Sequence, residues 1–291
     1  MTHSCPARLV LAFGALTMIW ADVTCARPSA GQPYHVQSWH IAEGVDVDVF
    51  SPTSSQPGAA RPALLMIPGG GWSTSDKQAM YPLCDAFARQ GFVTATTTYR
   101  HAPQHVWPAQ WVDVAQVVWH MREHAQALGI DPQRIGAIGA SAGALLAGQL
   151  GSVDMRAPGT GVSSQVQRVI SIGGPWNLAH VLTTFQRYKG QANPEYPNTD
   201  ALGMISNLFG HIPTEQEAAQ ASPYYRVSAH SAPTLMLHGT ADALVPSLQS
   251  TQTCKHMRDV HARCEVQLFP GVGHTITPDF LPPMARFLSD L

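Results

Sequence analysis

The stretch of sequence that decides the fold runs from Arg134 to Ala147 and reads RIGAIGASAGALLA. A short apolar run, a Gly-x-Ser-x-Gly turn and small apolar residues at helical spacing follow one another in it. This order predicts a strand, a sharp turn and a helix, with Ser141 at the turn in a strained backbone conformation. Gly139 and Gly143 leave the strand and helix backbones room to approach closely. The pattern therefore predicts an exposed serine hydroxyl at a helix N-terminus, where backbone N–H groups favour negative charge.

Composition limits the kinds of partner that we expect. The chain has 291 residues, of which 45% are hydrophobic and 12% are charged, and its formal net charge is −2. This length and apolar content fit one large α/β domain. The low charge, without a basic run, gives no electrostatic footprint for nucleic acid or for an anionic membrane. We therefore expect a small-molecule substrate and no nucleic acid.

The first thirty residues are predicted to be a signal peptide. Residues 1–8 are weakly basic, and residues 9–20 form an apolar run that is too short to span a bilayer comfortably. Small residues near positions 26 and 30 provide two candidate cleavage sites. An uncleaved anchor or an ordinary buried helix is the alternative interpretation. Cleavage would leave residues 31–291 as a single domain without a stable membrane span. We expect this mature protein to be periplasmic or secreted.

Cysteine usage follows from the predicted export. Removal of the signal peptide would leave Cys84, Cys254 and Cys264. An exported protein reaches an oxidising compartment, in which the nearby pair Cys254 and Cys264 is expected to form a disulfide. Cys84 lies in an amphipathic helical stretch and is expected to be a buried thiol.

Apolar runs alternate with amphipathic helical stretches along the rest of the chain. Strands are predicted at 45–50, 63–67, 92–99, 166–172, 233–237 and 264–269, and helices at 75–90, 107–128, 247–260 and 280–291. This alternation predicts a mostly parallel central sheet with helices on both faces, and ligands at the carboxyl ends of its strands. The looser, aromatic-rich segment 176–225 is predicted to be a small cap-like insertion over the active-site end of the sheet.

Two residues downstream can support a serine nucleophile. A serine hydroxyl needs a base, and the base needs a carboxylate that holds its tautomer. Asp242 follows one predicted strand and His274 follows the next, so the order Ser141, Asp242, His274 is that of α/β-hydrolases. Asp242 can alternatively shape a turn, and one histidine among 14 means little alone. His238 lies nearer its strand and is interpreted as structural. No metal site is expected, because no metal-ligand spacing accompanies these histidines.

Three backbone amides are candidates for an oxyanion hole. The tetrahedral intermediate of acyl transfer carries a negative oxygen, which needs N–H donors in a dry site. Ala142 follows the predicted nucleophile and can supply one donor. Gly70 and Gly71 can supply others, because they lie in a side-chain-free loop after the strand 63–67. The alternative interpretation of the glycine run is a flexible turn.

Seven segments of the sequence together resemble the bacterial carboxylesterases of the hormone-sensitive-lipase-like and feruloyl/acetylxylan-esterase-like groups. They occur in that family's order: PGGGW (68–72), YRHAP (99–103), WPAQ (107–110), GIDPQRI (129–135), GASAG (139–143), HGTAD (238–242) and GH (273–274). The resemblance covers the chain from about residue 40 to its C-terminus and implies an α/β-hydrolase fold with a serine nucleophile. The family usually begins its oxyanion loop with His-Gly-Gly, whereas this chain has Pro68 in the histidine position.

We therefore expect an exported serine esterase that hydrolyses carboxylic esters of small or carbohydrate-linked substrates without a cofactor. Ser141 would form the acyl-enzyme, His274 would transfer the protons, and Asp242 would orient His274. Trp72 and Trp176 are expected to contact the substrate. The alternatives are a peptidase of the same fold and a non-catalytic binding protein on a hydrolase scaffold.

Overall fold

The computed structural model describes residues 33–53, 60–196 and 200–291. The predicted signal peptide and its cleavage sites lie outside the described residues. Within them, the chain forms one eight-stranded sheet. Its strands are β1 (Tyr34–Ala42), β2 (Val45–Pro52), β3 (Arg61–Ile67), β4 (Val93–Thr97), β5 (Ile130–Ala140), β6 (Arg168–Ile172), β7 (Thr234–Gly239) and β8 (Cys264–Phe269).

The order of the strands is β1-β2-β4-β3-β5-β6-β7-β8. β2 pairs antiparallel with both β1 and β4, and every later pairing in the order is parallel. The helices are α1 (Tyr81–Ala88), α2 (Ala109–Glu123), α3 (Ala125–Leu128), α4 (Ala142–Ser152), α5 (Leu178–Arg187), α6 (Ala201–Phe209), α7 (Glu215–Ala221), α8 (Leu248–Asp259) and α9 (Leu281–Leu288).

The core has two layers, one on each face of the sheet. Successive residues of a strand point to opposite faces. In β3, Leu65 and Ile67 accordingly join the cluster under α2 and α4, whereas Leu64 and Met66 join the cluster under α1 and α9. The continuous apolar run in β3 is thus buried on both sides, as expected of a parallel strand. The predicted mostly parallel sheet with helices on both faces is confirmed.

Two glycines allow the close contact between β5 and α4. A Cβ atom at Gly139 would lie 2.1 Å from the carbonyl oxygen of Gly143. A Cβ atom at Gly143 would lie 2.2 Å from the carbonyl oxygen of Ile67 in β3. Both distances are far below van der Waals contact, so only glycine fits at either position without a backbone shift. The close approach expected from the sequence is present.

Two predicted helices are interrupted in the structure. The stretch 107–128 forms α2 and α3, because His124 leaves the helical conformation at φ −105° and ψ 18°. Gly129 then ends α3 in the left-handed region at φ 64°. The stretch 75–90 begins as a 3-10 helix (Lys77–Met80), and α1 starts only at Tyr81, with a proline in its first turn. A proline is tolerated there because the first helical N–H groups have no partner within the helix.

The segment 176–225 lies between β6 and β7 and contains α5, α6 and α7. Its residues 197–199 lie outside the described part of the chain. α5 contacts both α6 and α7, and residues of α5 and α6 line the cleft that is described below. A function of this segment as a cap over bound substrate stays a prediction.

Cys254 in α8 and Cys264 at the start of β8 form a disulfide, and Cys84 is a buried free thiol. The disulfide therefore ties a covering helix to the strand that leads towards His274. None of the helices that the structure describes is long and apolar enough to cross a membrane.

We expect this disulfide to stabilise the fold by about 2–3 kcal/mol, because a crosslink over a short loop removes freedom from the unfolded chain. The double variant Cys254→Ala/Cys264→Ala should lose about that much free energy of unfolding, measured by urea denaturation. Dithiothreitol should destabilise the unmodified protein and leave the double variant unchanged. Equal responses of the two proteins to the reductant would contradict the prediction.

Candidate active site

Ser141 lies at the turn between β5 and α4, with φ 53° and ψ −121°. A positive φ is costly for a side chain other than glycine, so surrounding contacts must hold it. The Ser141 amide donates to the carbonyl of Ile172 at 2.8 Å, and the Ser141 carbonyl accepts from Ala144 at 2.9 Å. The predicted strained serine at a helix N-terminus is present, but Ser141 is only 8% exposed, so the expectation of an exposed hydroxyl is corrected. Its side chain lines a cleft.

The structure brings the three predicted catalytic residues together from three loops. His274 Nε2 lies 2.9 Å from Ser141 Oγ, and His274 Nδ1 lies 2.6 Å from Asp242 Oδ2. These loops follow β5, β7 and β8, and they meet because parallel strands present their carboxyl ends at one edge of the sheet. Hydroxyl, imidazole and carboxylate therefore form a continuous hydrogen-bonded chain.

The surroundings of Asp242 keep its carboxylate ionised. Oδ1 accepts from the amides of Leu244 at 3.0 Å and Val245 at 2.8 Å. Burial by itself raises the pKa of Asp242, but hydrogen bonds from His238, His274 and the Val245 amide outweigh it and hold that pKa well below its usual range. An ionised carboxylate only accepts hydrogen bonds, so His274 must carry its proton on Nδ1. Its Nε2 is then free to accept the hydroxyl proton of the serine.

His238 is a buried, hydrogen-bonded residue outside the hydrogen-bonded chain from Ser141 to Asp242, in agreement with its interpretation as structural. Its Nε2 lies 2.7 Å from the carbonyl oxygen of Val245, and its Nδ1 lies 2.7 Å from Ser250 Oγ. A carbonyl oxygen only accepts, so Nε2 carries the proton and Nδ1 accepts from the Ser250 hydroxyl. Nε2 also lies 3.3 Å from Asp242 Oδ2. The buried ring thus fixes the loop that carries Asp242.

The glycine loop after β3 places backbone amides beside the serine. Gly70, Gly71 and Trp72 all have positive φ, at 123°, 57° and 59°. Gly71 and Ala142 line the cleft together with Ser141, and Gly70 immediately precedes Gly71. Within the described residues, the amides of Gly70, Gly71 and Ala142 donate to no protein acceptor. They are therefore available to a negatively charged oxygen.

The cleft beside the serine has a volume of about 430 Å³, including space that is open to solvent. Apolar side chains contribute most of its lining, from Pro175 and the segment 176–225 that follows it and from the loop after β7. They are Pro175, Leu178, Val181, Ala201, Met204, Ile205, Leu244 and Val245. Tyr196 also lines it, but its hydroxyl accepts from Gln249 Nε2 at 3.0 Å. The sequence predicted a cap-like insertion over residues 176–225 without identifying these aliphatic residues, although Leu178 and Val181 have the i, i+3 spacing of one helix face.

The two tryptophans that were expected to contact substrate have different surroundings. Trp72 lines the cleft. Trp176 does not, because it is 0% exposed and its Nε1 donates to Ser171 Oγ at 2.9 Å. A Cβ atom at Gly148 of α4 would lie 2.8 Å from the Trp176 ring, so helix and indole are in tight contact. The expectation for Trp176 is therefore corrected: it packs α4 against the sheet and does not reach the cleft.

Known proteins resemble this chain in sequence and in fold. Residues 47–257 match the model of the BD-FAE family. The esterases LipQ and LipC of Mycobacterium tuberculosis are each 28% identical to it, over 219 and 221 residues. These matches cover 74% and 73% of this chain but 50% and 52% of the relatives, so the chain spans about half the length of these curated relatives.

One solved structure gives the comparison of folds. The structure of Thermogutta terrifontis esterase 2 phosphonylated by sarin superposes with a TM-score of 0.71 at 26% sequence identity, covering 90% of this chain and 93% of that one. The agreement confirms the α/β-hydrolase fold that the resemblance implied. Since the family model spans most of the sequence and the fold agrees, the chain belongs to the BD-FAE family of α/β-hydrolase proteins.

Proposed function

We propose that this protein is a serine esterase that hydrolyses carboxylic esters through an acyl-enzyme. The observation that carries the proposal is the hydrogen-bonded chain from Ser141 Oγ through His274 to Asp242, which opens on a cleft. Ester hydrolysis needs a nucleophile, a base that also acts as an acid, and donors for the oxyanion. The cleft offers all three within one set of loops. The family and the esterases that share the fold support the same reaction.

In this proposal each residue has a step in the reaction. His274 Nε2 takes the proton of Ser141 as Oγ attacks the ester carbonyl carbon, and Asp242 stabilises the resulting imidazolium. The amides of the glycine loop and of Ala142 hold the oxyanion. His274 then protonates the leaving alcohol, and the acyl group stays on Oγ. Water attacks this acyl-enzyme with His274 as base, which releases the carboxylic acid and restores the hydroxyl.

The lining of the cleft supports small esters. Aliphatic side chains surround the serine, and aliphatic surface binds the hydrocarbon part of an acyl group by the hydrophobic effect. The resemblance to feruloyl and acetylxylan esterases extends the proposal to alcohols carried on carbohydrates. The chain therefore acts, in this proposal, on small or carbohydrate-linked esters.

Export is part of the proposal. The apolar run 9–20 supports a signal peptide, and the Cys254–Cys264 disulfide supports an oxidising compartment. Fractionation of cells that express the full chain, followed by N-terminal sequencing, should place the mature protein outside the cytoplasm with a new N-terminus near residue 26 or 30. Recovery from the cytoplasm with residue 1 retained would refute export and leave the esterase proposal standing.

The reaction is tested with a fluorophosphonate and a panel of esters. Mass spectrometry should find the phosphonyl group on Ser141, and labelling should abolish hydrolysis of the panel. The panel contains p-nitrophenyl acetate and butyrate, a feruloyl ester and an acetylated xylo-oligosaccharide, with peptide p-nitroanilides beside them. Turnover of the anilides alone would indicate a peptidase. A protein that is neither labelled nor active would be a binding protein on this scaffold.

A further inference from the structure

Pro68, at the start of the glycine loop, cannot by itself hold the loop in one conformation. Pro68 has neither an N–H donor nor a polar side chain, and it restricts only its own φ and the conformation of the residue before it. Three glycines follow it, and glycine is the residue with the greatest backbone freedom. An oxyanion donor acts only if it is already aimed, so another group must hold this loop.

The hydroxyl group of Tyr99 lies where such a group is needed. Tyr99 follows β4 and is 1% exposed. Its oxygen lies 3.2 Å from the carbonyl oxygen of Pro68, 3.3 Å from that of Gly69 and 3.4 Å from that of Thr74. These carbonyls belong to the two ends of the loop 68–74. The single proton of the phenol is thus shared among carbonyl oxygens at the entry and the exit of the loop.

Peptide geometry connects these carbonyls to the candidate donors. In a trans peptide unit, the carbonyl of one residue and the N–H of the next point in opposite directions. Fixing the Gly69 carbonyl on Tyr99 therefore fixes the direction of the Gly70 amide. The Gly70 carbonyl accepts from the amides of Ser73 and Thr74, both at 3.1 Å, which fixes the Gly71 amide in the same way. Tyr99 thus orients the first peptide unit, and the turn at 73–74 orients the second.

We propose that Tyr99 is a positioning residue for the oxyanion hole, whose hydroxyl holds the glycine loop in the place of the absent histidine. The inference rests on the proposed function, because the loop amides matter to catalysis only if the serine forms an oxyanion. Tyr99 itself touches neither the cleft nor the reacting atoms. Its effect passes through the peptide units of the loop.

The surroundings of Tyr99 suit this role. Burial raises the pKa of Tyr99 above its ordinary value, so the phenol stays protonated and remains a donor. The backbone of Tyr99 is itself held, because its amide donates to Ser75 Oγ at 3.3 Å. Ser75 Oγ also lies 2.8 Å from His101 Nε2. The ring therefore projects from a fixed position next to the loop that it supports.

The test replaces Tyr99 by phenylalanine, which removes one oxygen and keeps the ring. We expect kcat to fall about tenfold, the size of one lost hydrogen bond, with KM changed less than twofold. Hydrogen–deuterium exchange of the peptide that spans 68–75 should become faster. The affinity for a boronic acid, whose tetrahedral adduct also places an oxygen near these amides, should weaken by the same factor as kcat.

A matched control separates positioning from stability. Tyr34 is also a buried tyrosine, and its hydroxyl donates to Asp85 Oδ1 at 2.6 Å. It belongs to the hydrophobic cluster on the opposite face of the sheet from Tyr99. Tyr34→Phe should leave kcat and the exchange of the loop unchanged, whatever it does to the melting temperature. If Tyr99→Phe does not fold, Ser75→Ala tests the inference instead, because it removes the hydroxyl that holds the Tyr99 backbone. We then expect a smaller loss of kcat and faster hydrogen exchange of the loop.

Two results overturn the inference. Unchanged loop exchange in Tyr99→Phe would show that the hydroxyl does not hold the loop. An unchanged kcat in an otherwise active enzyme would show that holding the loop does not matter to the reaction. Failure of the proposed function gives a different result, since the unmodified protein would then neither hydrolyse esters nor take a fluorophosphonate on Ser141.

Discussion

Replacement of Ser141 by alanine is expected to lower kcat for ester hydrolysis by about 10⁶, because the three residues of such a triad act as a unit. Alanine keeps Cβ, and the backbone contacts of Ser141 with Ile172 and Ala144 do not involve the hydroxyl. The fold should therefore persist while the nucleophile is lost. Measurement needs the purified variant, its circular dichroism spectrum, and steady-state rates on the best ester of the panel.

The control for this variant is a serine outside the site. Ser289 lies after α9, and its hydroxyl donates to the Arg286 carbonyl at 2.9 Å. Ser289→Ala should retain the rates of the unmodified enzyme. A lower rate in this control would measure the activity that is lost during purification of a variant. Turnover by Ser141→Ala within tenfold of the unmodified enzyme would remove Ser141 as the nucleophile.

Replacement of Asp242 by asparagine is expected to lower kcat by about 10⁴, a smaller loss than that of the serine. The amides of Leu244 and Val245 both point at one side-chain atom of residue 242, so the asparagine oxygen will take that place. Its NH₂ group must then face His274 Nδ1. Since that nitrogen would have to accept, the proton moves to Nε2, which can no longer accept the proton of Ser141.

A second buried aspartate provides the control for this variant. Asp48 is 3% exposed and accepts from the hydroxyls of Ser38 and Tyr81, both at 2.6 Å, in the antiparallel part of the sheet. Asp48→Asn should reduce the free energy of unfolding and leave kcat within twofold of the unmodified enzyme. If Asp242→Asn keeps more than a tenth of the activity, the carboxylate does not set the tautomer of His274.

The parallel half of the sheet could be predicted because its strands are long apolar runs. Runs such as 63–67 are buried on both faces, and a buried strand needs no alternation to be recognised. The triad could be predicted for a related reason, since Ser141, Asp242 and His274 lie in the loops that follow β5, β7 and β8. Sequence order and strand ends together determined which side chains would meet.

The features that were missed depend on contacts between distant parts of the chain. β1 lies at the edge of the sheet, and Tyr34 is the one buried residue of the strand, so its sequence carries no apolar period. Trp176 follows a strand, as a substrate contact would, but the absence of a side chain at Gly148 lets α4 cover it. The hydroxyl of Tyr99 reaches carbonyls some 30 residues earlier, and no local pattern encodes such a contact.

The position of β8 at the end of the sheet affects how activity is lost. Of the strands that the structure describes, β8 pairs with β7 alone, and His274 lies in the loop that follows it. A strand with one neighbour opens at a smaller free energy than the sheet as a whole. We therefore expect the segment that carries His274 to open before the rest of the sheet. The Cys254–Cys264 disulfide holds the other end of β8 to α8. Thermal inactivation would then report local opening of this edge, while the rest of the sheet is still folded.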